Sequence, residues 1–297
     1  MDINKVLASF QTGVKDSVVE KEVKKITGNI SAIYTVQTLK QIFGFIDLTT
    51  LNGTDTCERA KQFAENINNF PNKFPEISNV AAICVYPTLL EHIKNSLTVK
   101  NVKITSVTGG FPSAQTFIDL KISETKKAIE KGANEIDMVI STGTFLSGNY
   151  HAVYEEIKAI KDACGINSLK VILESGVLEN LTNVKIASII AIEAGADFLQ
   201  TSTGKVNPPA TPEAVYVMAQ IIKEYEEKTD KKIGIKPAGG ISDSQKALKY
   251  YALVKEILGE EYLNPKHFRI GSKELANALL NDIAKMSSDQ KEIISYF

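Results

Sequence analysis

The sequence predicts one (β/α)8 barrel with an N-terminal helical extension. Two patterns carry this. Eight short apolar, β-branched runs start roughly 23–36 residues apart, and segments of helical period lie between them. Eight such alternations within 297 residues suit a closed parallel barrel, which commonly takes ~250 residues or more. An open doubly wound sheet is the alternative, but the GxGxxG expected after its first strand is absent.

Residues 1–44 precede the first strand. The stretch 14–26 is charged and reads as a helix. The stretch 31–42 reads as another, with apolar residues at 33, 36, 39 and 42. These helices are expected to cover the barrel or to form a contact between two copies. The barrel should occupy residues 45–285. Its strands are FIDLTTL (45–51), VAAICVYP (80–87), KITSVTGG (103–110), EIDMVI (135–140), KVILESG (170–176), DFLQTST (197–203), IGIKPAGG (233–240) and FRIGS (268–272). Helical segments fall at 118–131, 154–163 and 184–194. Thr211-Pro212 reads as a helix start, with Thr as the cap and Pro at the first helical position. The last twelve residues, 286–297, are polar before a final aromatic pair and read as a mobile tail.

Composition narrows the function. The 34 basic and 35 acidic residues leave a net charge of −1, which gives no basic footprint for nucleic acid. No apolar run approaches the ~18 residues of a membrane span. Three scattered cysteines without a CxxC pair fit a reducing compartment, so a cytoplasmic location is expected. His92, His151 and His267 do not cluster with carboxylates in a metal-ligand pattern. No metal and no cofactor are expected. A GxSxG elbow is also absent.

In this architecture the working residues stand at the carboxyl ends of the strands. Here those ends carry Asp47 and Thr49, Cys84, Glu135 and Asp137, Glu174, and Lys236. A charge inside a buried strand is costly unless paired, so Asp137 and Lys236 are expected to meet. An ion pair that merely fastens two strands is the plainer alternative. Glycines crowd the later strands in Thr203-Gly204-Lys205, Ala238-Gly239-Gly240 and Ile270-Gly271-Ser272. Glycine lets backbone N–H groups approach an anion, and the following helix N-termini add a positive dipole end. With Lys205 and Lys273, these segments predict a phosphate cradle.

Read together, IDLTTL, AAICVYP, GANEIDMV, LKVILESG, ADFLQTSTGK, GIKPAGGI and FRIGS resemble, in order and spacing, the deoxyribose-phosphate aldolases, from about Asp47 to Leu280. The resemblance implies a class I, metal-free carbon–carbon lyase of deoxyribonucleotide catabolism. Such enzymes split 2-deoxy-D-ribose 5-phosphate into D-glyceraldehyde 3-phosphate and acetaldehyde through a Schiff base. It implies that Asp137 relays protons and that Lys236 supplies the charge that lowers the nucleophile's pKa. It also implies that Cys84 lies near the substrate, and that Gly204, Gly239, Gly240 and Gly271 meet the phosphate. A homodimer is the family expectation.

One position departs from the pattern. The family's nucleophilic lysine stands immediately before TSTG, where this chain has Gln200. An amide nitrogen, its lone pair delocalised into the carbonyl, forms no imine. The eighth strand departs too, reading Gly271-Ser272-Lys273-Glu274 where the family has further small polar residues. Lys273 suits phosphate and Glu274 opposes it. Some relatives end in a tyrosine that visits the active site; Tyr296 is penultimate here. Three readings follow: an aldolase changed at one position, a non-catalytic sugar-phosphate or protein binder, and an enzyme whose nucleophile has moved to Lys236 or Lys205.

Overall fold

The structure, a computed structural model, describes residues 3–287 and 293–297. Residues 288–292 of the expected tail lie outside the described residues. Eight parallel strands alternate with helices as the sequence predicts. Helices α1 (Ile3–Ala8), α2 (Asp16–Thr27) and α3 (Val36–Phe43) come first, before β1 (Ile46–Thr49) and α4 (Cys57–Lys73). Next are β2 (Ala82–Val85), α5 (Leu90–Ser96), β3 (Lys103–Thr108), α6 (Ile118–Glu130), β4 (Glu135–Val139), α7 (Thr142–Leu146) and α8 (Tyr150–Cys164). The second half runs β5 (Ser168–Ile172), α9 (Leu181–Glu193), β6 (Phe198–Gln200), α10 (Pro212–Thr229), β7 (Gly234–Lys236), α11 (Ser244–Leu258), β8 (Ile270–Ser272) and α12 (Glu274–Ser287).

Neighbouring strands pair in the order β7-β6-β5-β4-β3-β2-β1-β8. The last seam, β7 to β8, closes through single bridges at Ile235–Phe268 and Ala238–Gly271. Along that seam the Arg269 N–H donates to the Ile235 carbonyl and the Gly271 N–H to the Pro237 carbonyl. The observed strands are shorter than the apolar runs. The run at 233–240, for example, leaves the ladder after Lys236, because Pro237 has no N–H and Gly239 turns left-handed at φ +88°.

Alternation decides what each strand buries. Ile46, Leu48, Ile83, Val85, Ile136, Met138, Leu169, Val171, Leu199, Ile235 and Ile270 face the helices and join one continuous apolar core. The alternate positions face the barrel axis and carry Asp47, Cys84, Thr105, Glu135, Asp137, Lys170, Gln200, Lys236 and Arg269, all buried. A (β/α)8 interior is ordinarily filled by branched aliphatics. This one is filled by charge.

At the start of α10 the Thr211 hydroxyl accepts the Ala214 N–H at 3.2 Å, with Pro212 at the first helical position. The extension differs from the sequence reading. The stretch 31–42 is not one helix: a 3-10 turn ends at Ile33, and the Thr35 hydroxyl accepts the Thr38 N–H to start α3 afresh. Helices α2 and α3 lie against α10, α11 and α12, on the outside of the barrel.

The chain terminus corrects the expectation of a mobile tail. Asn277 Oδ1 accepts the N–H groups of Tyr296 and Phe297, and its amide donates to the Phe297 carbonyl. Asn281 makes a reciprocal pair with the backbone of Ile294. The Tyr296 hydroxyl donates to the Asn66 carbonyl at 2.6 Å. The Phe297 ring stacks on Phe70 and meets Phe63 edge-on. Hydrogen-bonded asparagines and an aromatic slot hold Ile294, Tyr296 and Phe297, features that polarity and position in the chain did not disclose.

Candidate active site

A chamber of about 520 Å³ opens where the carboxyl ends of the strands converge. Its wall includes Thr49, Cys84, Asp137, Gln200, Thr203, Gly204, Lys205, Lys236, Gly239, Gly240, Gly271, Ser272, Lys273 and Glu274. Asp47, Glu135 and Glu174 do not reach the wall and are buried behind it. Tyr296 stays away, packed on Phe70 and Phe74. Phe297 lines a neighbouring pocket of about 400 Å³ that shares Asn52 and Lys273 with the chamber.

The floor of the chamber is an ion network. Lys236 Nζ sits 2.6 Å from Asp137 Oδ2 and 2.8 Å from Asp47 Oδ2. Lys170 Nζ lies 2.9 Å from Asp137, 2.7 Å from Glu135 and 3.6 Å from Asp47. Arg269 completes the set, 2.5 Å from Asp47 and 2.9 Å from Glu135. Three carboxylates therefore face three cations, and the cluster is neutral. The expected Asp137–Lys236 contact is present. Lys170 and Arg269 escaped notice in the sequence, although each is a charge at an axis-facing position of a buried run.

Burial alone would raise the carboxyl pKa of Asp47. The charges of Arg269, Lys236 and Lys170 outweigh it and hold that group below the usual range. Glu135 behaves likewise beside Lys170 and Arg269. For Lys236, burial would lower the pKa, but Asp137 and Asp47 overcome it and drive it above the ordinary lysine value. Lys170 is raised for the same reason. Burial, with Asp137 3.9 Å away, pushes the Cys84 thiol up, so it stays protonated.

These directions fix a pH dependence. The depressed carboxylates contribute stability above their unfolded pKa of ~4 and lose it as pH falls toward their folded values. The raised lysines contribute below ~10.4 and lose it as pH rises. Thermal melts should show a plateau between these limits and a fall on both sides. An unchanged melting temperature at pH 3 would contradict the ionised network.

Gln200 pairs in register with Lys236 on the adjacent strand, about 4.8 Å away across the ladder. Its Nε2 donates weakly to the Ser202 carbonyl at 3.4 Å, while its Oε1 is buried and has no partner among the described residues. The slot does not satisfy a side-chain amide.

Opposite this polar floor lies the glycine-rich rim. Gly204, Gly239 and Gly240 all adopt positive φ. Among the described residues their N–H groups donate to no protein acceptor. The first turn of α12 borders the chamber through Lys273 and Glu274, with the Ser272 hydroxyl capping the Leu275 N–H. Such a rim is suited to an anion. Gly271 differs from the other three. Its N–H is spent on Pro237, and a Cβ there would come within 3.1 Å of Lys236 Cε. The same Cβ would come within 2.8 Å of the Ala238 Cβ, so glycine is needed there for close packing as well as bordering the chamber.

Comparison with known proteins identifies the family. The sequence pattern of the DeoC/LacD family aldolases matches residues 42–254. The deoxyribose-phosphate aldolase of Homo sapiens is 43% identical over 251 residues, 81% of this chain and 78% of that protein. That of Bos taurus is 41% identical over 250 residues, 81% of this chain and 77% of that protein. A tetrameric deoxyribose phosphate aldolase from Aeropyrum pernix superposes with a TM-score of 0.64 at 22% identity, covering 88% of this chain and 97% of that one. This last likeness bears on the fold.

Proposed function

Because the chain belongs to the DeoC/LacD family of aldolases, we propose that its chamber takes 2-deoxy-D-ribose 5-phosphate and that Gln200 withholds the covalent step. The phosphate would sit on the glycine rim, with Lys205 and Lys273 adding charge. The carbonyl end would then reach the floor, where Asp137 and Lys236 stand beside position 200. One observation carries the reading: Gln200, Lys236 and Asp137 share the wall of a single chamber.

The reading assigns proton transfer to Asp137, which borders the chamber beside position 200 and is held there by hydrogen bonds from Lys170 and Lys236. The alternative in which Lys236 becomes the nucleophile is disfavoured. That amine sits between two carboxylates that keep it protonated, and an ammonium has no lone pair to attack with. The proposal assigns Gln200 the position of the missing lysine. It leaves sugar-phosphate binding intact while removing the Schiff base.

Calorimetric titration with 2-deoxyribose 5-phosphate tests the binding claim. Heat of binding is expected, reduced when Lys205 is replaced by alanine. A flat titration would defeat the sugar-phosphate assignment. The reading places the chain in the cytoplasm, consistent with its three free cysteines. It also carries the family's expectation of a homodimer, for which exposed Phe117, Leu120 and Leu146 offer apolar surface. Light scattering should return twice the chain mass of 32.5 kDa; a single chain mass would remove the dimer. Among the described residues no helix is long and apolar enough to cross a membrane.

A further inference from the structure

We propose that Glu174 is a positioning residue, whose carboxylate fixes the turn at residues 203–205 that forms one wall of the chamber. The inference deepens the function proposed above by naming what holds the Lys205 side of the anion rim.

Glu174 follows β5 and is 4% exposed. Its backbone is left-handed, φ 53° and ψ 52°, a conformation non-glycine residues rarely adopt and one that concentrates at functional sites. It precedes the short 3-10 turn Ser175–Val177 but gives that turn no capping bond. Both carboxylate oxygens go elsewhere, and to a single residue. Oε1 accepts the Thr203 N–H at 3.1 Å, and Oε2 accepts the Thr203 hydroxyl at 2.5 Å. The same hydroxyl oxygen accepts the Lys205 N–H at 3.1 Å. A chain of bonds therefore runs from carboxylate to hydroxyl to amide, across Gly204 at φ +75°.

Glycine at that joint leaves the turn free to adopt other conformations, so the bonds from Glu174 select one. Lys205 extends the constraint across the barrel mouth, where its ammonium donates to the Leu51 carbonyl just beyond β1. Glu174 itself does not line the chamber, and its two oxygens are occupied, so it presents no free acceptor to an incoming anion. It acts through Thr203 and Lys205. Backbone conformation and side chain separate experimentally. Glycine at 174 keeps the left-handed φ and removes the carboxylate. Glutamine keeps an acceptor for the Thr203 N–H and a polar partner for its hydroxyl.

The experiment measures acylation of Lys205 by acetic anhydride, mapped by mass spectrometry, and titration with inorganic phosphate. Glu174→Gly should raise Lys205 labelling and weaken phosphate binding by about tenfold each, the scale of one or two lost hydrogen bonds. Glu174→Gln should stay within about twofold of the parent in both. In a Lys205→Ala background, Glu174→Gly should weaken phosphate binding by less than in the parent, because only the share carried by the Gly204 N–H remains to be lost. Should Glu174→Gly fail to fold, Thr203→Val breaks the same relay and should raise Lys205 labelling equally. Unchanged labelling in the folded variant overturns the inference, as do equal losses in the Gly and Gln variants. If the parent binds no phosphate, the sugar-phosphate function fails, and labelling still decides the role of Glu174.

Discussion

Gln200→Lys should raise cleavage of 2-deoxyribose 5-phosphate by roughly three orders of magnitude or more, because it restores a nucleophile whose supporting groups are all in place. The introduced amine would stand beside Lys236 across the β6–β7 ladder. The network below is already neutral, with Asp47, Glu135 and Asp137 matched by Lys170, Lys236 and Arg269. A fourth cation finds no uncommitted carboxylate there. Its ammonium is disfavoured, its pKa falls below the usual ~10.4, and a neutral amine becomes available near pH 7. Release of acetaldehyde and glyceraldehyde 3-phosphate in a coupled assay measures the gain. A folded variant that binds the sugar phosphate yet stays inactive would contradict this account.

The same substitution should lower stability by about 1–3 kcal/mol through like-charge crowding in a buried site. One term opposes it. Among the described residues nothing pairs with the Gln200 Oε1, and an amide oxygen left without a partner in a buried slot costs roughly 1–3 kcal/mol. The net loss is therefore expected near the lower end. Urea denaturation of parent and variant supplies the comparison.

Arg269→Met is the most damaging change predicted for the fold, costing about 3–5 kcal/mol. The guanidinium reaches both Asp47 and Glu135, and all three side chains are nearly inaccessible. Methionine fills comparable length but leaves three buried carboxylates facing two cations. Removing one member of a buried ion set strands charge that water cannot reach. Chemical denaturation at neutral pH should show the loss, and acid should narrow it as the carboxylates protonate. A cost under about 1 kcal/mol would mean that the network is solvated or dispensable.

Much of this was legible in the residues. All eight strands follow from apolar runs, and the start of α10 follows from Thr211-Pro212. Asp137 and Lys236 drew attention because a lone charge in a β-branched run demands a partner. Lys170 and Arg269 obey the same logic, but they lie at or near the beginning of their runs, where a charge also fits a solvated strand end. Their burial comes from closure of the barrel, a long-range fact. The docked terminus was missed because Asn66 is 230 residues from its partner, and because nothing in the run itself marks Asn277 or Asn281, on the preceding helix, as its acceptors and donors.

Reductive trapping is the most direct measurement. The parent and the Gln200→Lys variant would each be incubated with acetaldehyde and borohydride, digested and mapped by mass. The chamber geometry predicts an ethyl adduct on the introduced amine at position 200 and an unmodified Lys236 in both proteins. An adduct on Lys236 of the parent, or none at position 200 of an intact variant, would contradict it.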